Sequence, residues 1–261
     1  MSIGFKNAFA MNFNLEKKVA IITGASKGIG EAIAIVLAQH GARVIINSRK
    51  QEELDKVVEK IRATGDECIG VAANTGEPAG LKKIVDTAVE KYGGVDILIN
   101  NAASNPVFGP VVQTEEWAYD KIMQVNVKAP FELSKLVYPI MKLRGSGSVI
   151  NISSIAGDTP DPGLGIYSVS KAALNMLTKV TAKEWAVDNI RVNSICPGLI
   201  KTKFSEALWQ DEAILKKFMK MVPMGRMGTI DEIAALALFL SSDVSGYCTG
   251  TLFTADGGTT I

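Results

Sequence analysis

Tyr167 and Lys171 stand four residues apart in a stretch of helical periodicity, so both side chains share one helix face. An ammonium beside a phenol lowers the phenol's pKa from its reference of ~10, making Tyr167 the expected proton donor and acceptor near neutrality. Tyr138 and Lys142 have the same spacing, but that pair abuts Pro139 and has no serine upstream at strand-end spacing. It reads as an ordinary pair on a helix surface. Ser153 and Ser154 follow the apolar run Ser148–Ile152, so a hydroxyl arrives at the end of a strand. Histidine cannot supply the acid–base group: His40 is the only one in the chain, which excludes a His-dependent triad and a His-rich metal site, and no metal is expected. Cys68, Cys196 and Cys248 share no ligand spacing and read as buried, reduced thiols of a reducing, cytoplasmic compartment.

A second constellation binds rather than reacts. The first apolar run, Val19–Ile22, leads into Thr23-Gly24-Ala25-Ser26-Lys27-Gly28-Ile29-Gly30 and directly into a helix. Glycines there allow a tight turn and close approach to a pyrophosphate, which the helix N-terminus attracts with unpaired N–H groups. The spacing differs from G-x-G-x-x-G, and its place after the first buried strand is what gives it weight. About 20 residues on, an NAD site places an acid at the tip of the second strand. This chain has Ser48-Arg49-Lys50 instead. Arg49, with Lys27 at the same end, suits a ribose 2′-phosphate, so the expected cofactor is NADP(H).

These groups need elements to position them. Val19–Ile22, Val44–Ile46, Ile69–Ala72, Val95–Ile99, Ser148–Ile152, Ile190–Ile195 and Thr251–Thr254 read as strands buried on both faces. Helical patterns lie between them at about 29–40, 51–63, 79–92, 115–143, 166–187 and 230–241, with Gly41 and Gly65 placed as C-caps. The alternation implies an α/β fold: a Rossmann-type doubly wound parallel β-sheet of about seven strands with helices on both faces. Residues 1–14 read as an N-terminal extension, with no secretory signal, and 15–261 as a single domain. The stretch at about 199–226 interrupts the rhythm with its own apolar residues and reads as a substrate lid. Lys plus Arg is 28 against 27 Asp plus Glu, which argues against a nucleic-acid or anionic-membrane partner. The longest apolar run, Ile233–Leu240, has eight residues where a spanning helix needs ~20.

In order along the chain stand Thr23-Gly24-x-x-x-Gly28-x-Gly30, Asn100-Asn101-Ala102-Ala103, Asn126, Ser154, Tyr167-x-x-x-Lys171 and Pro197-Gly198-x-Ile200-x-Thr202. From Leu15 to Gly258 the chain resembles the single-domain short-chain dehydrogenase/reductases. The resemblance implies roles. Tyr167 is the general acid/base, Ser154 a donor to the carbonyl oxygen, and Lys171 lowers the Tyr167 pKa and holds the nicotinamide ribose. Asn126 orients a relay water. Gly24, Ser26, Lys27, Gly28, Ile29, Gly30, Ser48, Arg49, Asn74, Thr75, Asn101, Ala102, Pro197, Gly198, Ile200 and Thr202, with Tyr167 and Lys171, line the cofactor. In that set Asn101 lines the adenosine side, and Ile200 and Thr202 hold the carboxamide. Two departures stand out: Ala103 where the family often has glycine, and Asn74-Thr75 where it often has Asp-Val to contact adenine. An amide can still hydrogen-bond adenine.

Around the substrate, Ser154 and Tyr167 are expected with Asn105, Phe108, Leu164, Phe204 and Trp209, and with Ser104, Pro106, Asp158 and Leu208 nearby. No arginine stands among them to clamp a carboxylate, which favours a small lipophilic ketone, aldehyde or secondary alcohol. Ser48-Arg49-Lys50 and Asn100-Asn101-Ala102-Ala103 lean the resemblance toward the carbonyl and retinal reductase branch. The alternatives are a 3-oxoacyl-[acyl-carrier-protein] reductase and, in a different class, a non-catalytic NADP(H)-binding regulator. The resemblance also implies a homotetramer, to which the apolar residues of the Tyr167 helix add independent support.

Overall fold

In the computed structural model, residues 12–210 and 212–261 are described; residues 1–11 of the expected extension lie outside them. Seven strands form one parallel sheet: β1 (Val19–Thr23), β2 (Arg43–Ser48), β3 (Cys68–Ala72), β4 (Ile97–Asn100), β5 (Gly147–Ile152), β6 (Ile190–Pro197) and β7 (Leu252–Ala255). Their order across the sheet is β3-β2-β1-β4-β5-β6-β7. Ala20, Ile22, Val44, Ile46, Ile99, Ile150 and Ile195 pack on one face, against α1 (Gly28–Gln39), α2 (Gln51–Arg62) and α9 (Ile230–Ser241). The intervening residues Val19, Ile21, Ile45, Leu98, Val149 and Val192 go to the other face. They meet α3 (Pro78–Tyr92), α5 (Ala129–Arg144) and the end of α6 (Gly165–Trp185). A strand apolar at every position is what both-face burial requires, because successive side chains point to opposite sides.

The expected helix at 115–143 is broken. α4 (Glu116–Met123) passes through a π-turn, Gln124–Lys128, into α5. Such bulges admit an extra residue and turn a side chain out of phase, and here that side chain is Asn126. Gly41 and Gly65 follow α1 and α2 in the left-handed region, at φ 91° and 90°.

Strand order reverses between β1 and β4, the first strand being flanked by β2 on one side and β4 on the other. The crevice beyond the carboxyl ends of strands at such a point is where open sheets bind ligands. Between β6 and α9 the chain rises over this edge as α7 (Glu206–Trp209) and α8 (Glu212–Met219). Its feet are tied to each other by the Ile200–Gly228 bridge and to the turn after β7 by Met224 N donating to Gly257 O at 3.1 Å.

Candidate active site

Thr23 closes β1 and fixes the floor of the crevice. Its hydroxyl oxygen accepts from the N–H of Asn101 at 3.0 Å and of Ala102 at 3.1 Å, joining the ends of β1 and β4. The Asn101 amide then donates to the carbonyls of Thr23 (2.8 Å) and Gly24 (3.0 Å). Gly24 has φ 64°, and a Cβ there would lie 2.9 Å from Ala102 Cα; one on Gly30 would lie 2.5 Å from Asn101 Nδ2. These two glycines let loop and helix press onto the strand ends. Gly28, also at φ 64°, has only the Thr202 methyl at 3.6 Å, so it faces open space where a ligand's backbone can approach.

The crevice is a cavity of about 440 Å³. Gly24, Ser26, Lys27, Gly28, Ile29, Ser48, Arg49, Asn74, Thr75, Asn101 and Ala102 line it from one end; Pro197, Gly198, Ile200, Thr202, Ser154, Tyr167, Lys171 and Phe204 from the other. Gly30 supports the loop from behind instead of lining the cavity. Among the described residues the Arg49 guanidinium has no hydrogen-bond or ion-pair partner, leaving its donors for a ligand. Asn74 lines the wall, but its amide donates to Glu77 Oε1 and accepts from Gly76 N, which holds the turn after β3.

At the reactive end, β5 delivers Ser154 in extended conformation, and its hydroxyl oxygen accepts from Ala156 N at 3.1 Å. With the oxygen fixed that way, the hydroxyl proton is free to be donated. The turn 155–157 lies flush on α6, since a Cβ on Gly157 would sit 2.7 Å from the Lys171 carbonyl carbon. Lys171 is 2% exposed and donates from Nζ to Ile152 O at 2.8 Å. Tyr167 is 9% exposed, with the Lys171 ammonium 5.5 Å from its ring centroid and the Phe204 ring tilted against it at 6.1 Å.

Burial opposes the charged form of both groups. Burial pushes the Tyr167 phenol up to about 12, against a smaller lowering by a hydrogen bond with Ser154. Burial likewise brings the Lys171 ammonium down to about 8. Against the sequence expectation that Lys171 lowers the Tyr167 pKa, the net shift is upward. The ammonium points to the β5 carbonyl, and desolvation of the phenol dominates.

Asn126 is 1% exposed and does not line the cavity. It accepts from Ser104 N at 2.7 Å and donates to Ser104 O and Ser170 Oγ, each at 3.0 Å. It thus ties the loop after β4 to the helix carrying Tyr167. Of the expected substrate residues, Ser154, Tyr167 and Phe204 line the cavity, whereas Asn105, Phe108, Leu164 and Trp209 do not. A Cβ on Gly163 would lie 2.7 Å from the Phe108 ring, so that ring packs loop against loop. Trp209 donates from its indole to Thr202 O at 3.0 Å and so anchors α7; the side chain of Leu208 lies outside the description. Sequence reasoning missed Asn47, Glu53, Lys121 and Lys203 in the wall, none of which has a motif to announce it. Tyr138 and Lys142 lie elsewhere and converge on Asp188, at 2.5 and 3.0 Å.

Residues 24–260 match a family model described as "Enoyl-(Acyl carrier protein) reductase". Dehydrogenase/reductase SDR family member 4 of Oryctolagus cuniculus is 45% identical over 244 residues, covering 94% of both chains. This chain belongs to the short-chain dehydrogenase/reductase family. Solved members superpose closely. Gluconate 5-dehydrogenase from Burkholderia cenocepacia, in complex with NADP and tartrate, gives a TM-score of 0.91 at 32% identity, covering 95% of this chain and 97% of that one. A 7α-hydroxysteroid dehydrogenase complexed with NADH and 7-oxo glycochenodeoxycholic acid gives 0.91 at 34% identity, with 95% and 96% covered. The short-chain dehydrogenase/reductases are oxidoreductases that bind nicotinamide cofactors. The cavity fits that group: a glycine cradle at a helix N-terminus for a pyrophosphate, with Ser154, Tyr167 and Lys171 at the far end.

Proposed function

We propose that this chain is an NADP(H)-dependent reductase of small lipophilic ketones and aldehydes, running in reverse on secondary alcohols. The observation that carries the cofactor choice is the unpartnered Arg49 guanidinium, in one wall with Lys27 and with no acid at the tip of β2. The gluconate 5-dehydrogenase neighbour was solved with NADP and the hydroxysteroid dehydrogenase with NADH, so the choice rests on this chain's own residues. Lys27 and Arg49 would receive the 2′-phosphate, the N–H groups at the start of α1 the pyrophosphate, and Ile200 and Thr202 the carboxamide. When bound there, NADPH would supply the hydride that reduces the carbonyl carbon.

The rest is this chain's work. Ser154, its oxygen held by Ala156 N, donates to the substrate oxygen and stabilises the charge that grows there. Tyr167 gives up its phenolic proton to the same oxygen, and solvent restores it. Lys171 confronts the resulting phenolate from the next helical turn. Asn126 acts as a positioning residue for the loop after β4 and for the helix that carries Tyr167. Phe204, packed on Tyr167, shields the reacting centre from water as part of a lid over 199–226, and its apolar ring favours a lipophilic substrate.

The second reading is a 3-oxoacyl-[acyl-carrier-protein] reductase; the matched family description shares the acyl-carrier-protein substrate class with it but names an enoyl reductase. A panel of ketones, aldehydes and 3-oxoacyl thioesters with NADPH separates the two. Turnover of small ketones above thioesters is expected; cofactor binding without turnover of any of them would overturn both. In solution the assembly we propose is a homotetramer. Trp117, Phe131, Met176 and Val180 leave an exposed apolar face across α4, α5 and α6, at 55%, 43%, 57% and 45% exposure. Cys68, Cys196 and Cys248 are free thiols, consistent with a reducing compartment such as the cytoplasm.

A further inference from the structure

Glu53 is an acid in a wall otherwise arranged for an anion. It stands in the first turn of α2, and its Oε2 accepts from the Ser26 hydroxyl of the glycine loop at 3.2 Å. Its Oε1 lies 4.0 Å from Lys50 Nζ, and the side chain, 41% exposed, lines the cavity together with Lys27, Ser48 and Arg49. Its neighbour Glu52 occupies the same helical turn but is absent from that wall. We infer that Glu53 is a specificity-determining residue that weakens this protein's discrimination for a ribose 2′-phosphate over a 2′-hydroxyl, so that NAD(H) competes with NADP(H).

The inference rests on reading the Lys27–Arg49 end as the site of the adenosine ribose. A 2′-phosphate bears about two negative charges at neutral pH and must bind at Arg49 in a wall shared with the carboxylate that holds the Ser26 hydroxyl. A 2′-hydroxyl meets no repulsion there and can donate to the same carboxylate, as ribose hydroxyls do at acids in NAD sites. Arg49 and Glu53 thus pull in opposite directions, and their balance sets the preference.

The test is calorimetric binding of adenosine 2′,5′-bisphosphate and of 5′-AMP to the full-length protein and its Glu53→Gln, Glu52→Gln and Arg49→Gln variants. For Glu53→Gln the affinity for the bisphosphate should rise about fivefold, with that for 5′-AMP unchanged or lower, and the gain should shrink at high salt. Glu52→Gln removes an equivalent helix-start charge and should leave the ratio alone. A Glu53→Gln ratio equal to that of the unaltered protein, or the same shift from Glu52→Gln, would overturn the inference. The reading of the ribose end fails separately, if Arg49→Gln loses no affinity for the bisphosphate.

Discussion

Tyr167 and Lys171 are both buried, and burial opposes charge on each. A phenol held near 12 stays protonated through the neutral range, so carbonyl reduction begins with the proton in place. Tyr167→Phe should lower turnover by the ~10²–10⁴-fold typical of a lost general acid, while NADPH binding, followed by fluorescence, persists. Tyr138→Phe, which loses only a bond to Asp188, should leave turnover near normal. Stability should carry the mark of both groups. The folded Lys171 value of about 8 lies below the 10.5 of the unfolded chain, so the unfolded state binds the extra proton between them and stability rises with pH over that window. Tyr167 acts oppositely: its folded value of about 12 lies above 10, so stability falls as pH climbs from 10 toward 12. Urea denaturation should therefore show a gain on the order of 3 kcal/mol from Lys171 above pH ~8. In Lys171→Met that gain should vanish; an unchanged slope would show the ammonium to be better solvated than its burial indicates.

At the scale of elements, the site depends on how closely loops lie on helices. The turn carrying Ser154 rests on α6 through Gly157, where a methyl group would overlap the Lys171 backbone. Gly157→Ala should displace the serine relative to Tyr167 and lower kcat by up to ~10²-fold, with cofactor affinity retained, as steady-state kinetics and binding titration together would show. The π-turn between α4 and α5 serves a related end. It directs Asn126 to both the Ser104 backbone and Ser170, whose own hydroxyl donates to Tyr167 O at 2.6 Å. Asn126→Ala leaves the Ser104 N–H without its partner and should cost about 1–3 kcal/mol in thermal or urea unfolding.

For the whole molecule, α3, α5 and α6 cover one side of the sheet, and α4, α5 and α6 still leave Trp117, Phe131, Met176 and Val180 to solvent in a single chain. Soluble homo-oligomers close such faces by two-fold symmetry. Sedimentation at micromolar concentration should give a tetramer, and Phe131→Glu should reduce it to smaller species. A single species at the mass of one chain for the unaltered protein would defeat the proposed assembly. Arg49→Asp, by contrast, should leave the assembly intact and move cofactor preference from NADPH toward NADH in paired kcat/KM measurements.

The sequence alone determined those features that a short stretch of chain encodes. The central strands show as Val- and Ile-rich runs because they are buried on both faces, whereas β7 (Leu252–Ala255) at the sheet edge is only partly buried and carries neither residue. The glycine loop shows because a turn at positive φ, and close packing on a strand end, exclude a Cβ at Gly24 and Gly30. Tyr167 and Lys171 show because helical spacing alone puts them on one face. Tertiary structure decided whatever depends on groups distant in the chain. Asn101 and Asn74 hold backbone turns with the amides that sequence reasoning directed to adenosine, since the nearest acceptors and donors come from Thr23, Gly24 and Glu77. Phe108 and Leu164 fall outside the cavity wall because two loops pair with each other over it, Gly109 N donating to Gly163 O at 3.0 Å. Glu53 reaches Ser26 across 27 residues of sequence, which only the pairing of β1 with β2 brings together. The phenol's pKa went against expectation for the same reason: spacing places an ammonium one turn away, but desolvation is set by everything that packs around the pair.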